Sequence, residues 1–479
     1  MRWTIAQVAG ALGVRAGAGV DPVAWVAGVS IDSRTVRAGE LFVAIHGPRH
    51  DGHDHVASAL GRGAIAAVVA EPQAHRYNES IRNRCFVVGD TFASLKQLAL
   101  AVREAWGGKI AGVTGSVGKT TTKEILAALL GAKLRVLKSE GNFNNEYGLP
   151  LTLFRLEDTH QAAVLEMGMS RRGELARLAA IARPEVGVVT RVSPAHLEFF
   201  SSVDEIALAK RELIEGLSGH DSTAVLNADD PRVAAFGAFA PGRVLTYGID
   251  APSFFSAAAI EDRGALGSSF DYVSPEGRVR LELPVPGRHA IYNALAALAA
   301  ASVWNIGAAE AQSVFRTLRV PAMRGELLRF SNGSALINDS YNSSPAALHA
   351  MVSVLAATPN FQRRILAAGE MRELGAASPA LHREAGIFTA KTGKVDWVIG
   401  VEGDAEQIVE GAVSAGTPRA QTKFFPSSEE AARFLQEFIA PGDVLLVKGS
   451  RGVKMERIVE LLLTRYAAPG EIPRQEVRH

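Results

Sequence analysis

One cysteine in 479 residues cannot form an intrachain disulfide, so the chain is not a small cross-linked scaffold. Cys85 lies in the apolar run CFVVG and reads as a buried strand residue suited to a reducing cytosol. Neither sign of charge is in surplus. The 51 Lys and Arg face 50 Asp and Glu, the net charge is +1, and no long basic run occurs. That balance argues against a nucleic-acid partner. Long hydrophobic runs are missing too. The opening MRWTIAQVAGALGV is interrupted by Arg2, Gln7 and Gly10 and does not read as a secretory segment. The longest apolar stretch, Ala290 to Ile306, is Ala-rich, carries Tyr292 and Asn293, and reads as a buried helix rather than a membrane span. We therefore expect a cytoplasmic protein with no membrane span. A monomer is expected, although the sequence itself does not fix the oligomeric state.

What is present is an ordinary globular composition, 47% apolar and 21% charged, spread over a chain too long for one core. Three α/β segments are expected. Residues 1–106 hold short strand-like runs (ELFVAI, AIAAVVA, CFVVG) between helical stretches. Trp106-Gly107-Gly108 reads as a joint. Residues 107–320 continue with the strands AAVLEM, VGVVT, TAVLN and VLTYG, the alternation of a P-loop-type parallel sheet. Residues 321–479 alternate SALIND, RRILAAG, VDWVIG and DVLLVKG with helices, which implies a Rossmann-like doubly wound sheet. No G-x-G-x-x-G follows its first strand, so a dinucleotide is not expected, and the tail from Pro469 is expected to fray.

The most informative stretch is Lys109 to Thr121, KIAGVTGSVGKTT. An apolar strand leads through Gly115, Ser116, Val117 and Gly118 to Lys119, Thr120 and Thr121 at the start of a helix. Backbone N–H groups of such a loop and the positive end of the helix cradle phosphates. The lysine reaches the terminal phosphates, and the Thr hydroxyl joins Mg²⁺. The strict pattern wants glycine at position 113, where this chain has Val113. The expected ligand is ATP or GTP.

Other residues gain meaning from their positions beside that loop. Glu166 ends the strand AAVLEM, on the rim where an ATPase holds Mg²⁺. His196 follows VGVVT on the same rim and could be either a metal ligand or a satisfied loop histidine. Asn142, Asn144 and Asn145 could bond a ligand or shape a turn. Asp339 closes SALIND, again at a strand's carboxyl end, and Lys448 and Arg451 offer two cations to an anion. In HGPRHDGHDH, the residues His46, His50, Asp51, His53, Asp54 and His55 tempt a metal assignment. Their spacing matches no zinc pattern, and such loops also ring ligands without metal. Lys210, within VDEIALAKRELIEGL, reads by itself as a solvated helix lysine.

These stretches in this order resemble the Mur ligase family, the ATP-dependent amide-forming enzymes of peptidoglycan precursor synthesis, over nearly the whole chain. The motifs that carry the resemblance include DSRTVRAGELFVAIHGPRHDGHDH, TGSVGKTT, GNFNNEYGLPLTL, LEMGMSRRGEL, SPAHLEFF, AKRELIEG, GRHAIYNALAA, NDSYNSSP and KGSRG. NDSYNSSP and the absence of D-N-P-R favour the members that add a terminal dipeptide over those that add the third stem residue. A nucleotide-binding regulator is the alternative from another class.

The resemblance implies that ATP drives the joining of D-alanyl-D-alanine to a UDP-N-acetylmuramoyl tripeptide. Ser33, Arg34 and the loop from Gly47 through Asp51 to His53 would hold the UDP sugar. Gly115 to Thr121 would bind the ATP phosphates, and Asn293 the adenine. Arg324 and Asp339 would reach the nucleotide from the last segment. Thr120, Glu166 and His196 would serve two Mg²⁺ ions, with Lys210 converted to a carbamate ligand. Asn144 and Asn145 would face the muramoyl substrate, and Tyr341 and Asn342 the dipeptide. Pro321-Ala322 before Met323 is the expected hinge. His382 is a candidate base for the incoming amine.

Overall fold

In a computed structural model, residues 3–47, 50–194 and 198–466 are described. Besides a two-stranded antiparallel ribbon of Trp3–Thr4 and Trp25–Val26, three larger sheets lie along the chain. The first is all parallel, in the order Gly28–Ser30, Glu40–Val43, Ala66–Ala70, Cys85–Val88. Its two central strands, Glu40–Val43 and Ala66–Ala70, are short apolar runs buried almost throughout, as covered parallel strands are, while the edge strands are partly exposed. Cys85 is buried there with its thiol directed at the Ile81 carbonyl, and burial pushes its pKa up to about 11.

The second sheet has nine strands. Six are parallel, in the order Val136–Lys138, Ala162–Glu166, Lys109–Thr114, Val186–Val189, Thr223–Asn227, Arg243–Gly248. The chain leaves Lys109–Thr114 for one side and later returns to the other. That reversal opens a crevice at the strand's carboxyl end, where open α/β sheets bind ligands. Beyond Arg243–Gly248 the sheet is not the simple parallel array expected. Phe255–Asp262, Ser268–Ser274 and Gly277–Leu283 extend it as an antiparallel meander, their alternating exposure marking an edge with one wet face. The Ala-rich stretch forms the helix Arg288–Ala301, buried almost all round, and among the described residues no helix is long and apolar enough to cross a membrane.

The third sheet runs Glu326–Arg329, Ala335–Asp339, Asp443–Lys448, Arg363–Gly369, Trp397–Val401, Thr422–Phe425. All neighbours are parallel except the first pair. Helices cover both faces in two apolar clusters, which makes the sheet doubly wound.

The approach to this sheet holds Met323 at φ +61 and Gly325 at φ +89, both left-handed. A methionine in that region is uncommon and marks a backbone held by its surroundings. One more link joins the second and third sheets. The turn 263–267 at the tip of the antiparallel meander places Ala265 among the apolar residues under the third sheet, and its N–H donates to Thr358 Oγ1 at 3.0 Å.

Candidate functional site

At the end of Lys109–Thr114 the backbone turns through Gly115 (φ +150) and Gly118 (φ +87) into the helix Lys119–Gly131. Space as well as conformation demands glycine at both positions. A Cβ at Gly115 would overlap Thr190 Oγ1, and one at Gly118 would overlap Asn293 Oδ1. The loop is tied down from the neighbouring strand's end. Thr190 Oγ1 donates to the Val117 carbonyl at 2.6 Å, and Ser116 N–H to the Arg191 carbonyl at 2.7 Å. The Ser116 hydroxyl donates to the Ser193 carbonyl at 3.0 Å and accepts the Ser193 N–H at 3.1 Å. Lys119 Nζ curls back to donate to the Gly115 carbonyl at 2.8 Å. Burial holds its pKa down, Arg324 adds to that, and Glu166 opposes it.

Glu166, 4% exposed, ends its strand facing this helix. Its Oε2 accepts the Thr120 hydroxyl at 2.8 Å and its Oε1 the Asn144 amide at 3.0 Å. It has no ion-pair partner among the described residues. A buried carboxylate with only neutral donors, beside a Thr hydroxyl and a phosphate loop, supplies the hard oxygens that Mg²⁺ takes, so these residues fit that ion. His196 lies outside the described residues, as does the tail from Pro469.

Lys210 corrects the solvated reading. On the helix Val203–Glu215 it is only 2% exposed, and its ammonium has no hydrogen-bond partner among the described residues. Burial, then the nearby Lys119, drive its pKa far below that of an ordinary lysine. A neutral amine is the form that adds to CO₂, whereas an ammonium would repel a metal.

Several candidates divide between ligand-facing and structural positions. Asn145 Oδ1 accepts the N–H groups of Tyr147 and Gly148, which makes it the turn-shaper ahead of Gly148–Leu153. In the first unit, Arg34 is exposed and paired with Asp32 at 2.7 Å, next to Ser33. His53 is buried. Its Nε2 accepts the Ala70 N–H at 3.0 Å and its Nδ1 lies 2.6 Å from Asp51 Oδ1, so both ring nitrogens are used in holding the 51–53 turn.

His382 is corrected outright as a base. It is fully buried, Nε2 accepts the Met371 N–H at 2.8 Å, and Nδ1 donates to the Ser378 carbonyl at 2.7 Å. Neither nitrogen is free to take a proton from an amine.

The third sheet contributes from across the crevice. Arg324 Nη2 lies 3.5 Å from Thr120 Oγ1, and its guanidinium stacks 3.9 Å from the Tyr341 ring centroid. Arg451 approaches the same ring at 5.8 Å. Buried Lys448 donates to Asp339 Oδ2 at 2.6 Å and to the Asn342 carbonyl at 2.8 Å, fixing the segment that carries Tyr341 and Asn342. Sequence reasoning missed Thr190 and Ser193, although Thr190 closes an apolar strand on the ligand rim. It also missed the buried Lys123, which no local pattern marks.

Comparisons with known proteins follow the same three parts. Three family models match: "Mur ligase family, catalytic domain" over residues 26–103, "Mur ligase middle domain" over 113–301, and "Mur ligase, glutamate ligase domain" over 323–451. The UDP-N-acetylmuramoyl-tripeptide–D-alanyl-D-alanine ligase of Bacillus subtilis is 33% identical over 91% of this chain and 93% of its own length. Among solved structures, MurF from Acinetobacter baumannii superposes with TM-score 0.86 at 28% identity, covering 97% of this chain and 99% of that one. MurF ligase from Thermotoga maritima in complex with ADP gives 0.79 at 29%, covering 92% and 97%.

Proposed function

The chain belongs to the Mur ligase family, and from that premise we propose how its residues divide the work. The protein is an ATP-dependent amide-forming ligase that joins D-alanyl-D-alanine to a UDP-N-acetylmuramoyl tripeptide, with release of ADP and phosphate, in peptidoglycan precursor synthesis. Residues 1–106 take the UDP-muramoyl part, 107–320 take ATP, and 321–479 bring the dipeptide. The reading includes a cytoplasmic location and action as a monomer.

A carboxylate is a poor electrophile, so the tripeptide's terminal carboxylate oxygen first attacks the γ-phosphorus of ATP. ADP leaves and an acyl phosphate forms. The dipeptide's free amine then attacks the acyl carbon, and phosphate departs with the C–O bond's electrons. Lys119 and the loop N–H groups from Gly115 to Thr121 hold the phosphates and offset the charge that builds during transfer, the main source of rate enhancement in such chemistry. Glu166 and Thr120, with His196 and a carbamylated Lys210, would hold Mg²⁺. When bound, that ion neutralises phosphate charge as a Lewis acid.

Asn293, whose amide packs against Gly118 of the phosphate loop, would contact the adenine. Arg324 and Asp339 act from the third unit. Ser33, Arg34, Gly47, Asp51 and His53 form or shape the sugar-nucleotide site, and Asn144 and Asn145 the muramoyl side. Tyr341 and Asn342 face the dipeptide. Closure of the third unit on the second excludes water that would hydrolyse the acyl phosphate.

One observation carries this reading. A preformed phosphate loop faces a buried carboxylate with no ion-pair partner among the described residues, at a sheet's switch point, and an arginine from a second sheet reaches the Thr120 hydroxyl beside it. The test is to incubate the enzyme with ATP, Mg²⁺, UDP-N-acetylmuramoyl tripeptide and D-alanyl-D-alanine. ADP release should require both substrates, and mass should show the joined pentapeptide. ADP release without either substrate, or joining of a single amino acid to a UDP-muramoyl dipeptide, would overturn it.

A further inference from the structure

Two of the largest fully buried side chains in the molecule are lysines, and only Lys210 has a part in the chemistry above. The other is Lys123, 2% exposed, one helical turn beyond Lys119 on the helix Lys119–Gly131. Burying an ammonium is costly unless it is paired and fully bonded. Lys123 is paired, and two of its three N–H bonds have partners among the described residues. Its Nζ sits 2.8 Å from Glu124 Oε1 and donates to the Ser139 carbonyl at 2.8 Å. Glu124 is in turn held by Lys138, next to Ser139.

Ser139 is the residue at which the strand Val136–Lys138 gives way to the loop carrying Asn144 and Asn145. It is 1% exposed. Its N–H donates to the Val164 carbonyl at 3.1 Å, and its hydroxyl accepts the Glu166 N–H at 3.1 Å. Further along that loop, Asn144 accepts the Gly168 N–H at 2.8 Å and gives its amide to Glu166 Oε1. Both the main chain and the side chain of Glu166 are therefore held by a loop whose root is bonded to Lys123. The same helix presents Thr120 to the other carboxylate oxygen.

We propose that Lys123 is a positioning residue for the metal carboxylate: it pins Ser139 and the root of the 140–147 loop to the phosphate-loop helix, so that Glu166 and Thr120 keep one mutual geometry. Lys123 touches no substrate. It acts through Ser139, as an outer partner orients an inner ligand. The proposal rests on the reading of Glu166 as a Mg²⁺ ligand.

Calorimetry of ADP binding to the full-length protein, with and without Mg²⁺, tests it independently of turnover. In the native protein Mg²⁺ should tighten ADP binding. In Lys123→Met that gain should shrink by roughly 10- to 100-fold, the usual consequence of losing an outer partner. Affinity for ADP without Mg²⁺ should stay within about twofold. Ser139→Ala should reproduce the shift in part, and the double variant should be no worse than Lys123→Met, because both changes break one chain of contacts. Lys123→Arg should recover part of the gain.

Additive effects, or an unchanged Mg²⁺ gain in both folded variants, would overturn the proposal. So would equal weakening of ADP binding with and without Mg²⁺, which is what mere loosening of the fold would give. Should Lys123→Met fail to fold, Ser139→Ala decides alone: a selective loss of the Mg²⁺ gain supports the proposal, and no loss overturns it. A native protein whose ADP binding ignores Mg²⁺ overturns it as well. Absence of ligase turnover with these binding results intact would instead count against the substrate assignment.

Discussion

The two junctions between the three sheets are built differently. Between the first and second there is one apolar core. Ile5, Leu41, Phe86, Leu98 and Val102 pack in the same cluster as Ile110, Leu149, Leu165 and Leu213. Buried Arg103 seals the seam by donating to the Ala182 carbonyl at 2.7 Å and to Glu185, whose other oxygen takes the Ile110 N–H. Between the second and third sheets no such core exists among the described residues. Ala265 alone enters the apolar cluster of the third unit; Gly287 lies against the Val354 side chain and Pro286 against Gly325, and polar contacts run from Arg324 to Thr120 and from the Glu198 N–H to the Glu373 carbonyl at 3.3 Å. Shared cores move as one body, whereas small polar interfaces let domains move. On the proposed division of labour, sugar nucleotide and ATP sit on one rigid body and the dipeptide arrives on another.

Breaking the chemistry inside the rigid body should have the largest effect. Lys119→Ala removes the cation proposed to face the transferred phosphate and should cut ADP formation by roughly 10³-fold or more, with the melting temperature little changed. Steady-state ADP release and a thermal melt check this, and full turnover in a folded variant would refute the phosphate assignment. Next comes the polar bridge across the mobile junction. Arg324→Ala should lower kcat roughly 10²-fold while disturbing ADP affinity much less, since the nucleotide's main contacts lie on the other body. Arg324→Lys should recover little, because a lysine cannot both stack on Tyr341 and reach Thr120 with a planar fork. A fall confined to ADP affinity would show that Arg324 belongs functionally to the rigid half.

The apolar tether at the same junction should matter for stability rather than for chemistry. Thr358→Val leaves the buried Ala265 N–H without its acceptor, at a cost of about 1–3 kcal/mol. Such a change should detach the third unit before the rest melts. A thermal scan should resolve two transitions where the native protein gives one, and retention of a single unshifted transition would mean the tether holds nothing.

Much of this arrangement is legible in the chain because local chemistry dictates it. Gly115 and Gly118 announce the phosphate loop, since only glycine accepts both the dihedrals and the crowding by Thr190 and Asn293. Short apolar runs such as AAVLEM and VGVVT, set between helical stretches, read as buried parallel strands, which puts Glu166 at the ligand rim. What escapes such reading is set by distant packing. Lys210 sits among charged residues, and only the packing of its helix turns it inward. Lys123 looks like any lysine four residues along a helix until the end of the next strand arrives above it. His382 fails as a base because Met371 and Ser378 claim both nitrogens, a fact of tertiary contact. The antiparallel meander from Phe255 to Leu283 alternates visibly in FSAAAIED and GRVRLEL, yet nothing local says that it extends the central sheet.

The smallest effect expected concerns the face that the mobile body turns to the crevice. Tyr341 has Arg324 on its ring at 3.9 Å and Arg451 nearby at 5.8 Å, and its N–H donates to the Met323 carbonyl at the linker. Among the described residues its phenolic oxygen has no hydrogen bond, so the ring is what orders the two guanidiniums. Cation–π contacts at partly exposed sites contribute about 0.5–2 kcal/mol, so Tyr341→Ala should raise the KM for the dipeptide by roughly 2- to 30-fold with kcat lowered less. Tyr341→Phe keeps the π face and should behave as the native enzyme within about twofold. If the phenylalanine variant is instead as impaired as the alanine one, the hydroxyl itself must contact the dipeptide. This face of the third unit would then recognise substrate by hydrogen bonding, as the central site holds its own groups, rather than by cations ordered on a ring.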